Sequence, residues 1–235
     1  MRSNTPEISV IIPALNEEKY IKLPLESLRR QSFKDFETIV VDGGSGDRTR
    51  AIARKYAKVV IERRQNIGRG RNTGAANARG RILVFLDADT EPSPDLLKAY
   101  AKGLDGAVAA TGPILPLETA SMRLRLGFKL VSTLLVRLSI LIGRPSIVGS
   151  NFAVKRSAFK KVGGFDNNLA TYEDWELSNR LKKVGRIVYV PDARAYTSTR
   201  RIIAWGIPYF FMFHFGNMVR YHVLGNPKEK YAQIR

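Results

Sequence analysis

Four short runs rich in β-branched and aliphatic residues, Ile8 to Ile12, Thr38 to Val41, Val59 to Glu62 and Arg81 to Leu86, are separated by stretches with helical spacing at about 17–30, 47–56 and 69–78. That rhythm predicts an α/β fold: a mainly parallel central sheet with helices packed on both faces. The runs lack the polar alternation of a half-exposed sheet, so they belong where both faces are covered. Asn16 is placed to cap the first helix. In open sheets of this kind ligands gather beyond the carboxyl ends of the strands. The loops there, Pro13 to Glu18, Asp42 to Asp47 and Asp87 to Glu91, hold most of the polar residues that break the pattern.

A chain of 235 residues that is 44% hydrophobic can bury a substantial core, which excludes a disordered tail or a disulfide-stapled miniprotein. Lys plus Arg number 39 against 21 Asp plus Glu, a net charge of +18, so the surface field attracts anions: nucleic acid, anionic lipid headgroups or phosphorylated small molecules. Without cysteine there are no disulfides and no thiolate metal sites. His214 and His222 alone make imidazole zinc sites and histidine-driven triads poor expectations. Met1 to Glu7 is polar and the following apolar run stops at Pro13, so no signal peptide is expected. The longest apolar stretch, Leu124 to Ile142, is broken by Arg125, Lys129 and Arg137, too many charges for the ~20-residue span a bilayer needs. No transmembrane segment is expected.

The sharpest chemical signal is Asp87-Ala88-Asp89, leaving the apolar run that ends at Leu86. Two carboxylates one residue apart can converge on a hard divalent ion, and that ion can hold a diphosphate. The same pair also suits an ordinary acidic turn. Glu173-Asp174 is a second acidic pair. It offers either a general base or simply favourable charge at a helix N-terminus, with Thr171 and Asp174 approximating a capping box.

Taken together, SVIIPALNEE at 9–18, VVDGGSGDRT at 40–49, NIGRGRNTG at 66–74 and FLDADT at 85–90 resemble the nucleotide-sugar-binding half of inverting glycosyltransferase family 2, which has the GT-A fold. The resemblance continues through GSNFAVKR at 149–156, VGGFD at 162–166 and EDWEL at 173–177, and covers roughly residues 8–200. It extends to membrane-associated transferases of the dolichol-phosphate mannosyltransferase type. It implies a metal-dependent hexosyl transfer with inversion, using Mg2+ or Mn2+ and a nucleotide diphosphate sugar. Pro13, Leu15 and Glu17 would line the base and ribose pocket, and Asp42 would accept a hydrogen bond from the base imide. Gly44, Asn66 and Gly68 would let backbone close over the donor, with Arg69 or Arg71 neutralising phosphate. Asp87, Ala88 and Asp89 would lie along the ribose, diphosphate and metal, with Asp87 and Asp89 as ligands and Glu91 as a third. Asp174 would be the catalytic base, beside Glu173. Gly149, Ser150 and Asn151, with Arg200 and Arg201, would meet the donor sugar, the acceptor or its phosphate.

The expected organisation is a GT-A domain over 1–200, with a nucleotide-sugar half (1–113) and an acceptor half (114–200), followed by an aromatic, basic helical extension at 201–235. Thr119 to Phe165 carries nine Lys or Arg and no acid. Projected at ~100° per residue, Arg125 to Arg144 is an amphipathic helix, suited either to packing on the core or to lying in a membrane interface. Arg200 to Arg235 holds six Lys or Arg, one acid and a run of aromatic residues from Trp205 to Tyr221, a composition that favours wet, anionic boundaries or a packed contact. The expected acceptor is a polyprenyl phosphate, a lipid-linked saccharide or a glycan, met at the cytoplasmic face of the membrane by a peripheral protein. Two other classes compete. A nucleic-acid-binding protein would account for the charge, but no recognised motif is present and acids at strand ends oppose a phosphate backbone. A sugar nucleotidyltransferase would share the sheet, but the loop after the first strand lacks a glycine-rich phosphate cradle.

Overall fold

In the computed structural model the described residues are 5–64, 66–117, 127, 130–169, 171–206, 209, 212, 213, 216, 217 and 220. The predicted alternation is there: β1 (Ile8–Ala14), α1 (Lys22–Arg29), β2 (Phe36–Asp42), α2 (Thr49–Ala53), β3 (Lys58–Ile61), α3 (Ile67–Ala76) and β4 (Ile82–Leu86). Then come β5 (Thr90–Pro92), α4 (Leu96–Gly103), β6 (Ala109–Thr111) and β7 (Ile114–Pro116). A π-helical stretch (Leu130–Leu135) runs into α5 (Val136–Leu141). β8 (Asn151–Lys155), α6 (Arg156–Lys161), α7 (Glu173–Leu181), β9 (Ile187–Tyr189), β10 (Ala195–Thr197) and α8 (Arg200–Trp205) complete the order.

The main sheet has seven strands in the order β3-β2-β1-β4-β8-β6-β9. β1 pairs parallel with β2 and β4, β2 with β3, and β6 with β9; β8 runs antiparallel between β4 and β6. Strands from beyond residue 113 therefore close the same sheet that the first half begins. A small sheet, β5-β10-β7, sits beside it.

Side chains along β1, β2 and β4 alternate between two cores, as strand geometry requires. Val10, Ile12, Val40, Val84 and Leu86 meet Leu25 and Leu28 of α1, Ala53 of α2 and Leu96 and Tyr100 of α4. Ile11, Ile39, Val41, Leu83 and Phe85 meet Ala75 of α3, Phe159 of α6 and Leu177 of α7. Each such fully buried aliphatic side chain contributes about 1.5–3 kcal/mol. Both faces being apolar and covered, the polar loops can emerge only at the strand ends.

Two expectations need correction and a third stays open. Asn16 does not cap a helix: α1 begins at Lys22, and Asn16 sits in the left-handed region (φ 56°) with its Oδ1 accepting from the Gly46 amide (2.9 Å). The capping box at α7 is absent, because Tyr172 rather than Thr171 precedes the helix, in a left-handed conformation (φ 70°), and the buried Thr171 hydroxyl has no hydrogen-bond partner. The amphipathic helix expected at 125–144 is described in part, and both of its readings stay open: Val136 of α5 is buried. Thr133 accepts from the Tyr189 hydroxyl and Arg137 lies over the Tyr189 ring, while Leu134, Leu135, Leu138, Leu141 and Ile142 are exposed. Most of the extension at 201–235 lies outside the described residues, which include its start in α8.

Candidate active site

The carboxyl ends of β1, β2 and β4 open on one edge of the sheet, and the loops after β1 and β2 are sewn together there. The Asn16 amide donates to Ser45 Oγ (2.9 Å), the Glu17 amide to Thr49 Oγ1 (2.7 Å) and the Glu18 amide to Asp47 Oδ2 (3.1 Å). Gly44 takes φ +90°, a conformation a side chain would strain. Between these loops and α8 lies a cleft of about 510 Å3 lined by Asn16, Glu18, Lys19, Tyr20, Gly46, Asp47 and Arg200. Pro13, next to the last residue of β1, packs against Gly70, and Leu15 packs on Gly43.

Asp89 is deep at this edge. Burial first, and Asp87 beside it second, push its pKa up to about 6. Arg200 answers that charge: its Nη2 donates to Glu17 Oε1 (2.6 Å), stands 3.1 Å from Asp89 Oδ2, and its guanidinium lies over the Tyr20 ring at 4.3 Å. Glu17 Oε2 is buried without a partner. Two carboxylates thus converge on a cation that the protein itself supplies. Neither Tyr20 nor the Glu17–Arg200 pair carries a local sequence signal, since the pair is 183 residues apart.

Arg71 is the hub of the second constellation. It is 1% exposed, and its fork donates to Glu173 Oε1 (2.8 Å), Asp87 Oδ1 (3.0 Å) and the Gly149 carbonyl (2.9 Å). The Gly149 amide in turn donates to Asp174 Oδ2 (3.0 Å). A Cβ at Gly149 would stand 3.0–3.1 Å from the Arg71 guanidinium and Asp174 Oδ2, so only glycine leaves both contacts undisturbed. The acid that ends β4 and the acidic pair that starts α7 are thereby tied together. Glu173 points inward onto Arg71, and burial, then Asp174, raise its pKa to about 7 against the opposing pull of Arg71. Asp174 is half-buried, on the side of the Gly149 loop.

Of the two arginines expected to meet phosphate, Arg71 is 1% exposed, with both Nη groups donating to protein oxygens and Nε buried without a partner. Its inward position is legible in hindsight, since Gly68, Arg71 and Ala75 follow helical spacing along the buried side of α3. Replacing Arg71 by Met leaves Glu173 buried without its counterion, and a loss of about 3–5 kcal/mol is expected on chemical denaturation.

The remaining expected residues divide plainly. Glu91 is turned away from Asp87 and Asp89; it accepts from Ser27 Oγ (2.7 Å) and Arg30 (3.2 Å), so it is not a third ligand in this arrangement. Among the described residues no three His, Asp or Glu side chains form a metal cage. Asp42 is fully buried under Arg50 (2.7 Å). Asn66 caps α3 by accepting from the Arg69 amide (3.0 Å) and donates to the Leu169 carbonyl. Gly68 packs against Phe165 and the Asp166 carbonyl, and Ala88 is core. Asn151 is spent on the framework: its Oδ1 accepts from Tyr100 Oη (2.7 Å) and its amide donates to the carbonyls of Pro113 and Ala193. Ser150 and Arg201 are half-buried at the same edge as Gly149 and Arg200.

Residues 9–163, most of the chain, match glycosyl transferase family 2. The chain belongs to this family. Residues 136–202, which contain Gly149 and the acidic pair, also match the N-terminal domain of galactosyltransferase. A probable glycosyltransferase of Bacillus subtilis, YdaM, is 32% identical over 201 residues, covering 77% of this chain and 47% of that protein. An uncharacterized glycosyltransferase of Haemophilus influenzae is 28% identical over 197 residues, covering 74% of this chain and 61% of that one. This family 2 chain thus spans about half to three fifths of the length of these two relatives. Among solved structures, mannosyltransferase PcManGT from Pyrobaculum calidifontis, in complex with GDP-Man and Mn2+, superposes with a TM-score of 0.70 at 22% identity, over 93% of this chain and 65% of that one. Residues 1–349 of S. aureus TarS in complex with UDP-GlcNAc superpose with a TM-score of 0.68 at 25% identity, over 83% and 59%. The fold is the GT-A-like α/β architecture. No helix among the described residues is long and apolar enough to cross a membrane.

Proposed function

We propose that this family 2 chain is the catalytic domain of a metal-dependent, inverting glycosyltransferase. It moves a monosaccharide from a nucleotide diphosphate sugar to a lipid-linked or saccharide acceptor at a membrane surface. The observation that carries this is the Arg71 bridge, which brings the acid ending β4 and the acidic pair starting α7 to one place. A donor site and a base must lie that close for transfer to occur in one step. The sugar nucleotides held by PcManGT and TarS support the donor class.

The residues present fit a divalent ion. Asp89 is a largely buried carboxylate already drawn to a cation, and Glu17 keeps an unpartnered oxygen nearby. Asp89 and Asp87 would hold Mg2+ or Mn2+, with further positions left to oxygens from outside the chain. When bound, such an ion stabilises the negative charge of the leaving diphosphate. Arg200, with Arg201 next to it in α8, would hold the diphosphate by charge-assisted hydrogen bonds. Asp174 takes the proton from an acceptor hydroxyl; Glu173 and Arg71 keep Asp87 and the Gly149 loop in place around it. Thermal-shift measurements with UDP, GDP, dTDP and CDP sugars, with and without Mn2+, test the reading directly. Stabilisation by none of them overturns it.

The exposed row Leu134, Leu135, Leu138, Leu141 and Ile142, with Arg137 and Arg144 interleaved, supports peripheral attachment to an anionic membrane, placed here at its cytoplasmic face. Apolar side chains enter the headgroup boundary while each nearby Lys or Arg adds ~1 kcal/mol of attraction to anionic lipid. The expected acceptor there is a polyprenyl phosphate or a lipid-linked saccharide. In flotation with vesicles rich in anionic lipid the protein should rise with the lipid at low salt, and Leu138→Glu with Leu141→Glu should leave it at the bottom. Absence of flotation by the unaltered protein removes this part of the reading.

A further inference from the structure

The loop that meets Asp174 is also gripped from behind. Three successive amides there, of Ile147, Val148 and Gly149, each donate to a side chain: to Ser178 Oγ (3.0 Å), Thr111 Oγ1 (3.3 Å) and Asp174 Oδ2 (3.0 Å). Ser178 and Thr111 are fully buried. Each passes its own proton on, Ser178 to the Asp174 carbonyl (2.7 Å) and Thr111 to the Asn151 carbonyl (3.0 Å). Both hydroxyls are thereby oriented, with a lone pair toward the loop. Ser178 stands one turn after Asp174 on the same face of α7. Four residues of helix rise about 6 Å and two of extended chain span about 7 Å, so the two side chains match the spacing of Ile147 and Gly149. Thr111, the last residue of β6, fixes the residue between them to the sheet. Neither hydroxyl belongs to the runs that carry the family resemblance.

Resting on the reading of Asp174 as the base, we infer that Ser178 is a positioning residue for the transfer, assisted by Thr111: the two hold the 147–149 loop so that the Gly149 amide fixes the Asp174 carboxylate. A general base works only within hydrogen-bond reach of the proton it takes. A displacement of about 1 Å, even one caused far from the chemistry, can cost about 10²-fold in rate. Without the Ser178 hydroxyl the Ile147 amide, in a residue only 1% exposed, has no acceptor, and the loop must shift or open to find one. The Gly149 amide, two residues on, moves with it, and the carboxylate loses its fixed direction. Ser178 acts only through Asp174.

The test uses Ser178→Ala and the isosteric Thr111→Val in the full chain, each checked for an unaltered circular dichroism spectrum. Amide exchange followed by NMR should show the Gly149 N–H exchanging about tenfold faster in Ser178→Ala, with β1 and β4 unchanged. The kinetic readout is release of nucleoside diphosphate, with water as the acceptor, from the UDP, GDP, dTDP or CDP sugar that binds in the thermal-shift panel. In Ser178→Ala kcat should fall about 10–10²-fold while KM for the donor changes less than about twofold. In an Asp174→Asn background the same substitution should lower kcat by no more than about twofold further, because the group it positions is already lost. If Ser178→Ala does not fold, Thr111→Val carries the same expectations for exchange and rate. A Gly149 amide that exchanges as before, an unchanged kcat, or an undiminished further loss beside Asp174→Asn overturns the positioning role and leaves the base standing. Unchanged turnover in Asp174→Asn itself overturns the base, and binding of no sugar nucleotide overturns the donor site.

Discussion

Asp89→Asn is expected to abolish metal-dependent binding of the sugar nucleotide. Removing an outer partner of a metal ligand typically costs about 10–100-fold in affinity, so removing a ligand itself should cost more than about 100-fold. The amide should be tolerated by the fold. Burial and Asp87 already hold the Asp89 carboxyl well above the usual carboxylate range, so the site accommodates a neutral group, and Arg200 keeps its bond to Glu17. Calorimetric titration of Mn2+ and nucleotide sugar, separately and together, checks it. The variant should keep an unaltered circular dichroism spectrum while losing the synergy between the two ligands. Synergy equal to that of the unaltered chain would show that the acids after β4 hold no ion. The position of Arg200 adds a second expectation of smaller size: with its guanidinium removed in Arg200→Ala, Mn2+ alone should bind more tightly and the nucleotide diphosphate more weakly.

Asp174→Asn should lower turnover onto a hydroxyl acceptor by about 10²–10⁴-fold, the usual worth of a positioned general base, with donor affinity little changed. The asparagine oxygen can still accept from the Gly149 amide, so the loop that Arg71 holds stays in place. The loss should therefore appear in kcat and spare KM for the donor. A phosphate acceptor is already an anion and needs no deprotonation, so with a polyprenyl phosphate the same variant should keep most of its rate. Steady-state rates on the two acceptor types distinguish these cases. A full rate on a hydroxyl acceptor would remove Asp174 from the chemistry and leave it a purely structural partner of Gly149.

Much of the framework was legible because its causes are local. Ile8 to Ile12 and Arg81 to Leu86 are apolar without alternation, and they became the buried strands β1 and β4. The Gly43-Gly44 turn and Asp87-Ala88-Asp89 emerge at strand ends as expected, because glycine and short polar residues suit tight turns wherever they occur. Helix starts were less legible. Asn16 has the side chain of a cap, but its amide and Oδ1 are both taken by the loop at 45–46, and the helix waits until Lys22. The face of the helix near 136–141 is undecided by its pattern, since the same periodicity serves a core or a lipid boundary; in the fold Val136 is buried and Tyr189 engages Thr133 and Arg137.

Sequence alone determined the order of strands and helices as far as Leu86, the layered α/β plan and the clustering of acids and glycines along one edge. These follow from steric and hydrophobic preferences that act over a few residues. Tertiary structure decided which ionic groups are partners and which face outward. Arg71 meets Asp87 16 residues away and Glu173 102 residues away; Arg50 covers Asp42; Glu91 turns to Ser27; Arg200 closes on Glu17 and Asp89. The physical reason is that a buried charge must find its counterion in three dimensions or bear the full cost of losing water, and no local periodicity records which distant residue will meet it.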